Sequence, residues 1–154
     1  YTLRTLYAAI GQPVPFRLVH ALDLIGPLVT RTRREPLHRR IAYADSCFLG
    51  RHLGRYDLPR EILTHINGTP PIELRSRRED APCCGAGGGL DRTDPATSRA
   101  ESLRVLEMCA DAGADVLATS GPPCTGHIQA AAAEGLPRPV DLLQLIAEWM
   151  GGRT

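Results

Sequence analysis

The sequence predicts an α/β fold, in which a parallel β-sheet of about four to five strands is flanked by helices. Two observations support this prediction. Short segments with strand patterning alternate with longer helical segments, and such an alternation produces parallel strands joined by helical crossovers. The chain of 154 residues is also long enough to enclose a hydrophobic core, so a single domain is expected.

Five short segments have the patterning of strands. Residues 72–75 alternate apolar and polar side chains, as a half-buried strand does. Residues 40–44 lead directly into Cys47, and residues 116–119 lead into the segment that ends at Cys124. The remaining two predicted strands are residues 15–19 and residues 139–140.

Five longer segments are predicted to be helices. One begins near Pro59, which is tolerated in a first turn because its missing N–H would have no partner there. The longest begins at Asp94-Pro95 and stops at Gly113, a residue type common just after helix ends. The predicted helices are residues 20–29, residues 58–66, the segment from Asp94 to Gly113, an alanine-rich segment after Cys124, and residues 141–150. This order of elements predicts a Rossmann-like sheet.

Four of the five cysteines have a spacing that indicates a metal site. Cys47 is followed by the adjacent pair Cys83-Cys84, which opens a glycine-rich loop, and then by Cys124. Each follows a predicted strand or its loop, and ligands of open parallel sheets collect beyond the carboxyl ends of the strands. Thiolates gathered from separate loops suit an iron–sulfur cluster or a zinc ion. The fifth cysteine, Cys109, shares the apolar stripe of its helix and is expected to be packing.

Composition and charge exclude several classes of function. The net charge is +1, from 18 basic and 17 acidic residues, so no global field attracts nucleic acid or an anionic membrane. The basic residues between positions 31 and 40 are interpreted as a solvated linker. No apolar run approaches bilayer length and no secretory signal opens the sequence, so we expect a cytoplasmic protein without a transmembrane segment. Cysteines in that compartment more often bind metal than form disulfides.

Two motifs resemble the cysteine-rich (CCG) domain. The run from Tyr43 to His52, YADSCFLGRH, is similar to the Tyr-His-Asp-Pro-Cys-x-Leu-Gly-Arg opening of that family, and Cys83-Cys84-Gly85-Ala86-Gly87-Gly88 is similar to its naming motif. Such domains occur, usually as two copies, in one of the subunits of heterodisulfide reductase and in the iron–sulfur subunits of glycolate oxidase and related enzymes. The resemblance implies that residues 1–154 are one such domain, the second copy in a fragment of a longer subunit.

The resemblance implies a noncubane [4Fe–4S] cluster or, in some members, a zinc ion, with up to five thiolate ligands. The implied metal ligands are Cys47, Cys83, Cys84 and Cys124. The backbone around Gly85, Gly87 and Gly88 is expected to approach the metal and to donate N–H bonds to sulfur, which would tune the potential of a cluster. One ligand is missing, because Gly121 stands where the family has the first cysteine of a terminal Cys-Pro-x-Cys.

Two functions follow from these expectations. The first is an electron-transfer module of a heterodisulfide reductase-like or glycolate oxidase-like oxidoreductase, not a complete enzyme by itself. Its partners would be flavin-containing and other redox subunits or a preceding CCG domain, which could hold it at the inner face of a membrane. The second is a structural or assembly module that binds zinc or no metal and docks a partner redox subunit.

Four further side chains are candidates for the site. His52 could line it, and His127 could replace the missing thiolate if the helix begins near Pro123. The alternatives, a surface histidine and a histidine outside the ligand set, are favoured. Arg51 and Arg55 could hold an anion or offset cluster charge, although solvated arginines are the usual outcome.

Overall fold

A computed structural model describes residues 1–151 and contains a four-stranded sheet in which all neighbouring strands are parallel. The strand order is β2-β1-β3-β4. The predicted α/β architecture with a parallel sheet is therefore confirmed. The strands are β1 (Ile41–Tyr43), β2 (Ile72–Glu73), β3 (Val116–Thr119) and β4 (Arg138–Asp141).

Seven α-helices and one turn of 3-10 helix (Arg78–Asp80) connect these strands in the described part of the chain. Asp94 caps the longest helix by accepting a hydrogen bond from Thr97 N, and Pro95 follows in its first turn. Gly113, just beyond the end of that helix, has φ +76°, which glycine adopts without strain. The helices are α1 (Thr2–Ala9), α2 (Ala21–Arg31), α3 (Asp57–Asn67), α4 (Leu90–Thr93), α5 (Pro95–Asp111), α6 (Pro122–Ala131) and α7 (Leu142–Trp149).

The helices cover both faces of the sheet, because successive strand residues point to opposite sides. On one face, Ile41 and Tyr43 of β1 pack with side chains of α2, α3 and α7. On the other face, Ala42 and Leu117 pack with side chains of α5 and α6. Such a three-layer arrangement leaves the strand ends as the accessible edges of the sheet.

The predicted strand at residues 15–19 is wrong. These residues join no strand, and the side chains of Phe16 and Val19 are exposed. Pro15 lacks the N–H that a sheet ladder needs, and no neighbouring strand lies beside the segment to reward an extended conformation. Helix α1, for which the sequence analysis made no prediction, has no buried residue, so it lacks the apolar face that makes a helix recognisable.

The strand order defines where the chain changes direction. From β1 the chain passes to β2 on one side, and β3 then lies on the other side of β1. The carboxyl ends of β1 and β3 are therefore adjacent at the switch point, where open α/β sheets bind ligands. Among residues 1–151, no helix is both long and apolar enough to cross a bilayer.

Candidate metal centre

Three loops at the carboxyl edge of the sheet bring four cysteines together. Cys47 lies four residues after the end of β1, and Cys124 lies in the first turn of α6, just after β3. The pair Cys83-Cys84 comes from the long connection between β2 and α4. All four line one small cavity of about 20 Å³. The structure thus brings together the four cysteines that the sequence spacing singled out.

A second cavity adjoins the small one and extends the space beside the thiols. It has a volume of about 380 Å³, and three of the four cysteines (Cys47, Cys84 and Cys124) also line it. Its walls are mainly apolar, with Phe48 and Leu49 from the loop after Cys47. The four sulfur atoms thus lie at the boundary between an enclosed pocket and a larger one.

The two members of the vicinal pair have different environments. Cys84 is buried, whereas Cys83 is exposed, and Cys47 and Cys124 are partly buried. All are free thiols. Side chains that diverge in this way cannot bond to each other without strain, but they can occupy two positions around one metal group.

The electrostatics of the thiols reflect their proximity. The Cys124 thiol donates a hydrogen bond to the sulfur of Cys84, which lowers the pKa of Cys84 to about 6. The same bond, reinforced by burial, raises the pKa of Cys124 above its usual value. Burial, followed by the nearby sulfurs of Cys83 and Cys84, raises the pKa of Cys47. One thiolate is therefore favoured among three protonation-coupled sulfurs, and a cation would be needed to hold several thiolates at once.

Helix α5 holds the loop of the vicinal pair through two buried serines. Ser98 Oγ donates a hydrogen bond to the carbonyl oxygen of Gly85 at 2.9 Å, and Ser102 Oγ donates one to the carbonyl oxygen of Cys84 at 2.7 Å. Both serines are fully buried and four residues apart, so they lie on one face of the helix. The sequence analysis missed them. Their signal is that two hydroxyls interrupt the otherwise apolar face of α5.

Gly85 is the glycine of this loop that the packing requires. Its φ is +85°, and a Cβ atom at this position would lie 2.3 Å from the carbonyl oxygen of Ser98. Its N–H donates a hydrogen bond to Cys83 Sγ at 3.4 Å, the kind of N–H to sulfur bond expected for this loop. Gly87 lines the larger cavity, and Gly88 has φ +66° with open space around it. The three glycines thus have different surroundings, and a role for each in cofactor binding remains a prediction.

Arg51 connects the loop of Cys47 to the segment before Cys83. Its guanidinium donates hydrogen bonds to the carbonyl oxygen of Glu79, at 3.1 and 3.0 Å, and to that of Ala81. Arg55 pairs with Asp23. The expectation that these two arginines are simply solvated is wrong, because both have carbonyl or carboxylate partners within the protein.

A buried ion-pair network supports the loop of Cys47 from behind. Arg60 donates two hydrogen bonds to the carboxylate of Asp45, at 2.7 and 2.9 Å, and two to Glu73, at 2.7 and 2.9 Å. The backbone N–H of Arg78 donates a further bond to Asp45 at 2.8 Å. Asp45 lies two residues before Cys47, so the network fixes the start of the ligand loop to α3 and β2.

Gly121 leaves one side of the cysteine cluster without a side chain. Its backbone is extended, with φ −164° and ψ 107°, which any residue can adopt. A Cβ atom at this position would lie 3.7 Å from Cys124 Sγ and 3.4 Å from Ser46 Oγ, both ordinary contact distances. The fold therefore does not require glycine here, and a side chain at residue 121 would point toward the thiols.

The structure places the other candidate residues away from ligand positions. His127 Nε2 hydrogen-bonds with Ser98 Oγ at 2.7 Å. The ring of His52 stacks on that of Tyr1, with centroids 4.3 Å apart, and lines neither cysteine cavity. Cys109 is fully buried in the core, where burial raises its pKa to about 12. It has the packing environment expected from its helix.

The chain belongs to the cysteine-rich (CCG) domain family, whose sequence profile matches residues 41–129. This match confirms the resemblance drawn from the motifs around Cys47 and Cys83-Cys84. The matched residues run from β1 into α6 and include all four cysteines of the cluster.

Several curated proteins are similar over most of this chain. One of the subunits of dihydromethanophenazine:CoB–CoM heterodisulfide reductase is 29% identical over 151 residues in Methanosarcina barkeri and 33% identical over 152 residues in Methanosarcina mazei, in each case 94% of this chain and 37% of that protein. The probable iron–sulfur-binding oxidoreductase FadF of Bacillus subtilis is 32% identical over 136 residues, 84% of this chain and 19% of FadF. The chain thus spans between about a fifth and just over a third of the length of these relatives.

Proposed function

We propose that this chain is an electron-transfer module that carries an iron–sulfur cluster, specifically a noncubane [4Fe–4S] cluster, within an oxidoreductase subunit of heterodisulfide reductase-like or glycolate oxidase-like type. The observation that carries the proposal is the convergence of Cys47, Cys83, Cys84 and Cys124 on one cavity at the switch point of the sheet. These four thiolates would hold the cluster, which would supply one-electron transfer when bound.

The donor set fits an iron–sulfur cluster in its chemistry. All four donors are soft sulfur atoms, which suit clusters and zinc alike. Zinc, however, needs its ligands within one tetrahedral sphere at about 2.3 Å from the metal. In residues 1–151, no three His, Cys, Asp or Glu side chains are arranged to hold a single metal ion. This arrangement, together with the adjoining cavity, supports a polynuclear group over a single ion.

The surroundings of the sulfurs support a redox role for that cluster. Cys84 is buried, whereas Cys83 is exposed, so the site spans the interior and the surface of the domain. The Gly85 N–H bond to Cys83 Sγ would stabilise negative charge on that sulfur, and such bonds are one way in which proteins set cluster potentials. A cluster reached from the surface through one ligand can exchange electrons with a second protein.

The names of the relatives support the class of partner. The similar proteins include a heterodisulfide reductase subunit, an iron–sulfur-binding oxidoreductase and an EtfAB:quinone oxidoreductase. We therefore propose that the partners are flavin-containing and other redox subunits, or a preceding CCG domain in the same polypeptide. The proposed location is the cytoplasm, at the inner face of the membrane where a partner is bound there.

The alternative function is a zinc-binding or metal-free structural module that docks a redox subunit. Four thiolates are the number that tetrahedral zinc requires, and Gly121 leaves the site one donor short of five. Metal analysis separates the two functions, because only the proposed one requires iron and sulfide.

The test is metal analysis of the protein purified without oxygen. We expect a brown protein with roughly four irons and four acid-labile sulfides per chain. Cys83→Ser should lose most of this iron without unfolding, because Cys83 is exposed. Cys109→Ala is the matched control, since it removes a cysteine outside the cluster. A colourless wild-type protein with one zinc or no metal would contradict the proposal.

A further inference from the structure

We propose that the hydroxyl of Ser46 is an additional, oxygen ligand of the metal centre, on the side of the cysteine cluster that faces Gly121. This inference rests on the proposed function, since it concerns how the iron–sulfur cluster is held. It adds a ligand of a different chemical kind to the four thiolates.

Ser46 has the position that a ligand needs. It lies between Asp45 and Cys47 and is buried, with 7% of its surface exposed. It lines the small cavity together with the four cysteines, and it also lines the larger cavity that adjoins it. Its backbone is fixed, because its carbonyl oxygen accepts a hydrogen bond from Gly50 N at 2.8 Å.

The Ser46 hydroxyl is available for a ligand. No hydrogen bond joins its Oγ to another group in residues 1–151, although the residue is more than nine-tenths buried. Folding thus takes this hydroxyl away from bulk water without giving it a protein partner, which is unfavourable. That cost is removed if the oxygen coordinates a metal atom in the cavity beside it.

The other oxygen-bearing side chains of the small cavity already have partners. Three residues with side-chain oxygens line it: Asp45, Ser46 and Thr119. Asp45 accepts hydrogen bonds from Arg60, and Thr119 Oγ1 is hydrogen-bonded to the hydroxyl of Thr125. Among the described residues, Ser46 is therefore the one that presents an unpartnered side-chain oxygen to the cavity.

The geometry at Gly121 locates the metal atom that Ser46 would bind. The point where a Cβ atom of residue 121 would lie is 3.4 Å from Ser46 Oγ and 3.7 Å from Cys124 Sγ. The serine oxygen and the Cys124 sulfur thus face one empty position from two sides. An iron atom near it can take both donors, forming one iron–oxygen bond as the hydroxyl proton passes to water.

The test uses the full-length protein, purified without oxygen and analysed for iron, sulfide and Mössbauer spectrum. We expect Ser46→Ala to lose about one of roughly four irons per chain. Ser46→Cys should keep the iron but change the spectrum of one iron site, because a thiolate replaces a harder oxygen donor. Gly121→Cys in the Ser46→Ala background should restore the lost iron, since its thiol would enter the same position.

Ser120→Ala is the matched control. It removes a hydroxyl one residue from Gly121, but that hydroxyl is engaged with Tyr43 at 2.7 Å, so the iron content should not change. Circular dichroism establishes that each variant is folded. An iron-loaded wild type whose iron content and spectrum are unchanged by Ser46→Ala overturns the oxygen ligand alone. A wild type without iron overturns the proposed function and the oxygen ligand together.

Discussion

Gly85 packs directly against the backbone carbonyl of Ser98, so closely that a Cβ atom on Gly85 would lie 2.3 Å from that oxygen. The contact brings the loop of the vicinal cysteines onto α5, where Ser98 also donates a hydrogen bond to the carbonyl of Gly85. The glycine of the Cys-Cys-Gly motif is thus explained by helix packing and by its positive φ.

Gly85→Ala should destabilise the domain and displace the loop. The left-handed backbone costs an alanine about 1 kcal/mol or more, and the clash with Ser98 adds about 1–3 kcal/mol. Gly88→Ala is the control, because Gly88 has a positive φ but nothing within 4 Å of its Cβ position. Urea unfolding measures both free energies. Equal losses in the two variants would show that the contact with Ser98 is unimportant.

Ser102→Ala should lower the free energy of unfolding by roughly 1–3 kcal/mol, because it leaves the buried carbonyl of Cys84 without its hydrogen bond. Thr93→Ala removes a bond of the same type, from a hydroxyl to the carbonyl of Gly89, at an exposed site. Water can replace that bond, so its loss should stay within about 0.5 kcal/mol. Thermal unfolding of the two variants tests the difference, and a ranking in the opposite order would refute the role of Ser102.

Arg51→Lys should weaken metal retention while the domain stays folded. Lysine keeps the positive charge but cannot span the carbonyls of Glu79 and Ala81 with one planar fork. Loss of supporting contacts around metal ligands typically costs about 10–100-fold in metal affinity. Arg55→Lys is the charge-matched control, since Arg55 pairs with Asp23 instead. The measurement is iron retained during a timed challenge with a chelator, and equal retention in both variants would exclude positioning by Arg51.

The N-cap of α5 should make stability depend on acid pH. The hydroxyl of Thr97, and then its N–H, lower the pKa of Asp94. Because the folded pKa is below the unfolded value of about 3.9, ionised Asp94 stabilises the fold above that pH, and this contribution disappears as the pH falls through the folded pKa.

Asp94→Asn isolates this effect, because asparagine also caps helices but does not titrate. The stability difference between wild type and Asp94→Asn should shrink as the pH falls from about 6 to about 3. Thermal unfolding of the metal-free protein, followed by circular dichroism, measures this difference. A difference that is constant over this range would contradict the assignment.

The sequence predicted the central elements well because their patterns are local. The strand at residues 116–119 was predicted with the bounds of β3, since an apolar run preceded by Gly113 has few other interpretations. The start of α5 at Asp94-Pro95 was equally clear from its cap. The failure at residues 15–19 has the opposite cause: strand patterning is satisfied only where a neighbouring strand exists, and local sequence does not report the neighbour.

The cysteine cluster was predictable in part. Because parallel strands end at one edge, residues that follow different strands must meet there, and Cys47 and Cys124 do. The contacts that hold the loop of Cys83 could not be predicted in this way. Arg51 reaches carbonyls 28 and 30 residues away, and only the folded chain brings them together.

The side chains that hold the Cys83 loop have a consequence for how this site can change. Arg51, Ser98 and Ser102 all bind main-chain carbonyl oxygens, at residues 79, 81, 84 and 85, and leave the cysteine side chains to the metal. The path of the loop is therefore written in its backbone, independently of the side chains at positions 83 and 84. A domain built this way can exchange ligands during evolution, and so change which metal it accepts, before it loses the ability to fold.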